Sequence, residues 1–109
     1  VEPGSLRIAN QNHTGKVNVS FRSLMRNLRK AGYTRIYVAK SWSQPLKATR
    51  VVAQQGDENS AESVRSLLGF GEVRVESTGS LNSDISIQVG EDWLEKLSAP
   101  ESSEDIPLL

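Results

Sequence analysis

Cysteine is absent from this 109-residue chain. That excludes a disulfide framework, a thiolate metal site and a cysteine nucleophile. It fits an envelope protein as well as a cytosolic one. Histidine occurs once, as His13. A lone loop histidine without neighbouring Asp, Glu or Cys is a weak metal or acid–base candidate, because metal sites need several convergent ligands. His13 is expected to be a solvent-exposed or turn residue. No run of about 18 apolar residues occurs, so no helical membrane span is legible. No signal peptide is visible either. A chain that begins at Val1 rather than Met reads as a piece of a longer protein. The missing targeting segments then say nothing about where the parent resides. The G-x-S-x-G, H-E-x-x-H, P-loop and G-x-G-x-x-G patterns are all missing. Gly69-Phe-Gly71 is too short for a phosphate cradle and follows a helix instead of preceding one.

Net charge is also lacking, at zero overall, but the charges are segregated. Residues 1–50 hold ten Lys or Arg and one acid; residues 51–109 hold three bases and twelve acids. Such asymmetry can mark an anionic partner. That the two halves attract one another, or form two separately solvated faces, is the favoured reading, because surface pairs are worth little.

A repeated unit is present. Leu28-Arg-Lys-Ala-Gly-Tyr-Thr-Arg-Ile-Tyr-Val and Arg65-Ser-Leu-Leu-Gly-Phe-Gly-Glu-Val-Arg-Val align at a shift of 37 positions. Gly32-Tyr33 falls on Gly69-Phe70, and Ile36 and Val38 fall on Val73 and Val75. Each copy reads strand–helix–strand. Leu6–Ala9 alternates as a strand, and Asn10–Gly15 is a polar loop. Val17, Phe21, Leu24, Met25 and Leu28 make a helical apolar stripe, with Arg22, Arg26, Arg29 and Lys30 on the outer side. Gly32 suits the residue after that helix, because glycine takes positive φ cheaply. Thr34–Lys40 and Thr49–Gln54 read as strands. Gly56–Ser60 reads as a helix start, and the second helix carries Ala61, Val64, Leu67 and Leu68 inward before Gly69. Glu72–Glu76 and Ile85–Val89 complete the strands, and Leu94–Leu97 is a last helical turn.

The predicted class is α+β: a βαββαβ ferredoxin-like two-layer sandwich, with two helices on one face of a mixed four- to five-stranded sheet. Residues 1–5 are a flexible lead-in, residues 6–97 the single domain, and residues 98–109 a disordered acidic tail. The other sheet face is expected to be free, showing Arg7, Ala9, Arg35, Tyr37, Arg74, Glu76, Ser86 and Gln88. With one aromatic, it poorly supports base stacking. Its Arg, Tyr and Gln would suit a carbohydrate or an anionic polymer. A plain solvated face is the bland alternative. Asp57-Glu58 and Glu91-Asp92 do not form dyads, since adjacent residues on extended chain point apart. Trp42 and Trp93 are expected to seal the rim of the core, though either could stack a sugar. No catalytic residue, cofactor or metal is assigned. The candidate polymer-binding residues are Arg22, Arg26, Arg29, Lys30, Arg35 and Tyr37.

Three stretches carry a family resemblance: Leu6-Arg-Ile-Ala-Asn10, Leu28-Arg-Lys-Ala-Gly-Tyr33, and Ser83-Asp-Ile-Ser-Ile-Gln-Val-Gly-Glu-Asp-Trp93. Together they resemble the LytR C-terminal domain over about residues 6–97. The Gly-x-Asp-Trp ending is the most specific part. The family's Asn-Gly-Thr-Gly turn is lengthened here to Asn10-Gln-Asn-His-Thr-Gly15. The resemblance implies a domain that follows a catalytic LytR-CpsA-Psr domain, anchored in the membrane and facing outward, which transfers lipid-linked anionic glycopolymers onto peptidoglycan. It implies no activity for the domain itself. The expected partners are therefore peptidoglycan or an anionic wall polymer and the catalytic domain of the same chain, with membrane contact only through the parent. A protein-interaction or spacing module without a ligand is the second reading. Nucleic-acid binding through the open sheet face ranks last and is not expected.

Overall fold

The structure, a computed structural model, describes residues 3–15, 20–39, 45–77 and 83–98. After a 3-10 turn at Pro3–Ser5 come β1 (Arg7–Asn12), α1 (Arg22–Lys30), β2 (Arg35–Ala39), β3 (Arg50–Ala53), α2 (Glu58–Leu68), β4 (Glu72–Val75), β5 (Ile85–Val89) and α3 (Glu91–Ser98). The class is α+β, with one mixed five-stranded sheet. The expected acidic tail lies, from residue 99 on, outside the described residues, as do Lys40, Trp42 and the first part of the apolar stripe at Val17.

Local chemistry explains the helix ends. Asp57 caps α2: its carboxylate accepts the Ser60 N–H at 3.1 Å and the Ser60 hydroxyl at 2.6 Å. Such a cap satisfies a donor that has no partner within the helix. Gly32 after α1 and Gly69 after α2 both have positive φ, +100° and +82°. The repeat thus preserves the left-handed residue that stops each helix. Helix α1 begins at Arg22 after Phe21, with no side-chain cap.

Strand order is β2-β1-β5-β3-β4. This differs from the split βαβ order expected of a ferredoxin-like sheet. Each βαβ pair stays adjacent and parallel, β1 with β2 and β3 with β4. Between them lies β5, parallel to β1 and antiparallel to β3. The reason is burial. All five β5 residues are buried, and Ile85, Ile87 and Val89 are completely so. A strand covered on both faces belongs at the centre of a sheet, whereas β2 and β4 carry exposed residues and take the edges.

One face of the sheet meets both helices. Ile8, Val51, Ala53, Ile85, Ile87 and Val89 pack there with Leu24 and Leu28 of α1 and Ala61 and Val64 of α2. Strand β1 runs three residues further than the alternation suggests, through Asn10, Gln11 and Asn12. These polar residues extend the strand because β2 and β5 pair with it on both sides. Asn10 is fully buried and donates to the Tyr37 carbonyl at 3.1 Å. Asn12 accepts the Thr14 N–H and hydroxyl at 3.0 and 2.6 Å, which closes the turn.

Two side-chain clips hold β5 in place. At its start, Asp84 accepts the Arg7 backbone N–H at 2.9 Å and two guanidinium hydrogen bonds at 3.3 Å. At its end, the Asp92 carboxylate accepts the Thr49 N–H at 3.0 Å and the Thr49 hydroxyl at 2.6 Å. Thr49 Oγ1 in turn accepts the Gly90 N–H at 3.0 Å. The backbones come so close here that a Cβ on Gly90 would stand 2.7 Å from the Ala48 carbonyl carbon and 2.8 Å from the Leu46 carbonyl oxygen.

Three outcomes are expected. Gly90→Ala should unfold the domain at room temperature or lower its melting midpoint sharply, whereas Gly4→Ala, which meets only ordinary contacts, should not; similar midpoints in thermal melts would refute the close backbone approach at Gly90. Asp92→Ala should cost about 1–3 kcal/mol, the typical penalty of leaving a buried donor such as the Thr49 N–H unpaired. The third outcome concerns pH. The Arg7 side-chain hydrogen bond holds the Asp84 carboxyl below its ordinary value of 3.8. A depressed carboxyl stabilises fully above that ordinary value, and the contribution fades as pH falls through the folded pKa. Urea midpoints at pH 6 and pH 3 should therefore drop less for Asp84→Asn than for the parent chain, from a lower start. An equal drop in both would show that Asp84 is not linked to folding.

Candidate functional site

On α1, the four cations occupy one face. At about 100° per residue, Arg22, Arg26, Arg29 and Lys30 fall within an arc of roughly 100°. All four are exposed. Opposite them, Phe21, Leu24 and Leu28 are buried in the core and Met25 packs against it. The helix contains no acid: its sequence is Arg-Ser-Leu-Met-Arg-Asn-Leu-Arg-Lys. Among the described residues the ion pairs are Arg7–Asp84 and Arg65–Glu62, and neither involves α1. Arg29 and Lys30 suit the negative C-terminal end of the helix dipole, but Arg22 sits at the positive end. Arg26 has like charges four residues away on both sides, a spacing that destabilises a helix by about 0.2–0.5 kcal/mol per pair. The helix is thus held by its buried side while its outer side repels itself.

Arg35 and Tyr37 lie elsewhere. They point to the sheet face away from the helices, because Ile36, between them, packs against the core. The six candidates therefore form two surfaces on opposite layers, not one. Arg35 is exposed and Tyr37 half-buried. Register places Tyr37, Ala9, Ser86, Val52 and Arg74 in one row across this face. The expectation of a free face holds only for its margins. Ala9, Ser86 and Val52 are fully buried, and Gln11, Gln54 and Gln88 nearly so. The polar groups there bond one another: Gln54 Nε2 donates to Ser86 Oγ at 3.0 Å, and Ser83 Oγ lies 3.0 Å from Ser86 Oγ. Arg7, on the same face, is held by Asp84, whose hydrogen bond raises the arginine's pKa still further.

The remaining candidates have structural duties. His13 is only 3% exposed, not solvent-facing; its N–H donates to the Val89 carbonyl at 2.7 Å and its carbonyl accepts the Leu46 N–H at 2.8 Å. A backbone tied on both sides draws this loop residue inward. Asp57 is a helix cap, and Asp92 is the clip on Thr49. Trp93 is buried and stacks on Phe70 with ring centroids 6.0 Å apart. It seals the core and offers no platform for a sugar. No cluster of three or more His, Cys, Asp or Glu that could hold a metal occurs among the described residues. Three buried side-chain atoms have no hydrogen-bond partner among the described residues: Asn10 Oδ1, Arg50 Nε and Trp93 Nε1. Asn10 was legible only as the end of a strand, and Arg50 only as a strand residue.

Among the described residues no helix is long and apolar enough to cross a membrane. No curated protein and no solved structure matches the chain. The stretch that carries the most specific resemblance, Ser83–Trp93, is the one that inserts β5 and clips both of its ends. A family model described as LytR cell envelope-related transcriptional attenuator matches residues 5–93. The chain belongs to that family, LytR_C, and is an accessory domain of the LytR-CpsA-Psr type of cell-envelope protein.

Proposed function

We propose that this domain works outside the cytoplasm, in a membrane-anchored parent, and binds wall glycan or an anionic wall polymer along α1. It carries out no reaction itself and holds the polymer beside the catalytic domain of the same chain. The observation that carries this reading is the acid-free basic face of α1, exposed and without ion-pair partners among the described residues. A stripe from Arg22 to Lys30 is about 12 Å long at the helical rise of about 1.5 Å per residue. That linear shape suits a chain with repeated negative charges. The charges are also spaced within about one Debye length at physiological salt, so they act on a polyanion together. Arg35 and Tyr37, on the opposite layer, offer a smaller secondary contact.

The helix repels itself for the sake of these charges, which gives a test with two readouts. The variant Arg26→Glu should stabilise the fold by about 0.5–1 kcal/mol, because it turns both of that residue's like-charge pairs, with Arg22 and Lys30, into attractive ones. The same variant should weaken polymer binding about tenfold or more. A stabilised variant that still binds as before would remove α1 from the reading.

Amide shifts followed by NMR during titration with a polyanionic wall polymer, and separately with peptidoglycan fragments, should map to residues 22–30. Silence there with both ligands would end the proposal, and shifts confined to Arg35 and Tyr37 would move it to the sheet face.

A further inference from the structure

Among the described residues both sheet edges are open, and the repeat makes them alike. Val38 on β2 is 58% exposed and Val75 on β4 is 51% exposed. They are equivalent positions of the two copies, 37 residues apart. In each copy the first apolar residue of the edge strand, Ile36 or Val73, packs on the core, and the second one is bare. Edge strands with bare apolar residues and unpaired backbone groups are templates for pairing.

Electrically the two edges are opposite. Strand β2 begins at Arg35, while β4 begins at Glu72 and is followed by Glu76. We propose that two copies of this chain associate head to tail, with the β4 edge of one pairing antiparallel to the β2 edge of the next. Strands β1, β2 and β5 run one way and β3 and β4 the other. A copy set beside the first without rotation therefore meets it in antiparallel orientation, with its helices on the same side.

The register across the sheet then dictates the cross-strand pairs. Ile36 is level with Ile8, Ile85, Ala53 and Val75, and Val38 is level with Asn10, Ile87, Val51 and Val73. Level pairing thus covers Val75 with Ile36 and Val38 with Val73, all on the helix face. On the other face Tyr37 meets Arg74, a cation over or beside a ring. Two residues further along on that face, Arg35 meets Glu76. Opposite charges across a strand pair stabilise it and like charges weaken it.

The symmetric alternatives lack this match. Two β4 edges paired about Arg74 would set Arg74 on Arg74 and Glu72 on Glu76. Two β2 edges paired about Tyr37 would leave both Arg35 side chains facing alanine and would bring two basic α1 helices together. Head-to-tail contact does not close on itself, so it extends into longer assemblies as concentration rises.

The absence of cysteine makes a clean test possible. Val38→Cys and Val73→Cys proteins, each checked for fold by circular dichroism, are mixed and mildly oxidised. The mixed disulfide should form several-fold faster than either homodimer, and faster than links to a control Cys at exposed Ser66 on α2. The pair Ile36→Cys and Val75→Cys gives a second reading of the same register. In sedimentation, Arg35→Glu should lower self-association several-fold, and adding Glu76→Arg to the same chain should restore it. A Val38→Cys homodimer that outpaces the mixed product, cross-linking no faster than the control, or an Arg35→Glu protein that associates like its parent would each overturn the proposal.

Discussion

The carboxylate of Asp92 on Thr49 is the contact on which this fold turns. The two βαβ repeats do not pair with each other anywhere in the sheet; β1 and β3 are separated by β5. The hydrogen bonds that cross the middle of the sheet therefore run through the β5 segment, from Asp84 to Val89. Those residues come late in the chain and arrive from an edge, beyond β4. Their apolar burial supplies the drive, and the clips at either end set the register. Asp84 binds β1 through Arg7, and Asp92 binds the start of β3 through Thr49. A slip of one residue would turn Ile85, Ile87 and Val89 to the wrong face. The motif by which the family is recognised is thus an architectural device, and its aspartates are occupied.

That occupancy bears on function. With Asp57, Asp84 and Asp92 engaged in caps and clips, the acidic half of the chain spends part of its charge inside the structure. The basic half spends less of its own. Of its cations, Arg7 is paired to Asp84, while the α1 cations stand in solvent. The asymmetry between halves is therefore greater on the surface of α1 than composition suggests. It follows the repeat: the first copy offers a basic helix, and the second offers acids on its edge strand.

Much of the local structure was legible because it depends on neighbours in sequence. Asp57 three residues before Ser60 is a cap on any scaffold, and Gly32 and Gly69 end their helices because few other residues take positive φ. The alternation of Ile85, Ile87 and Val89 identified a strand. The candidate cations of α1 were also legible, since helical spacing alone puts Arg22, Arg26, Arg29 and Lys30 opposite Leu24 and Leu28. Harder to read were residues whose polarity suggests solvent but whose backbone is claimed by partners far along the chain. Asn10 and Gln11 read as loop and proved to be central strand, because β2 and β5 flank them. His13 read as exposed and is buried, because its backbone bonds to Val89 and Leu46.

By itself the sequence determined the repeat, the helix ends, the basic face of α1 and the α+β class. Each of these follows from periodicity, capping or charge within a short window. Only the tertiary structure decided where β5 inserts, which sheet face closes over its small residues, and that Arg35 and Tyr37 lie on the layer opposite α1. Those depend on pairings between residues up to 77 positions apart, such as Arg7 with Asp84. Such pairings are chosen by the burial and hydrogen bonding of the whole sheet, which no local pattern encodes.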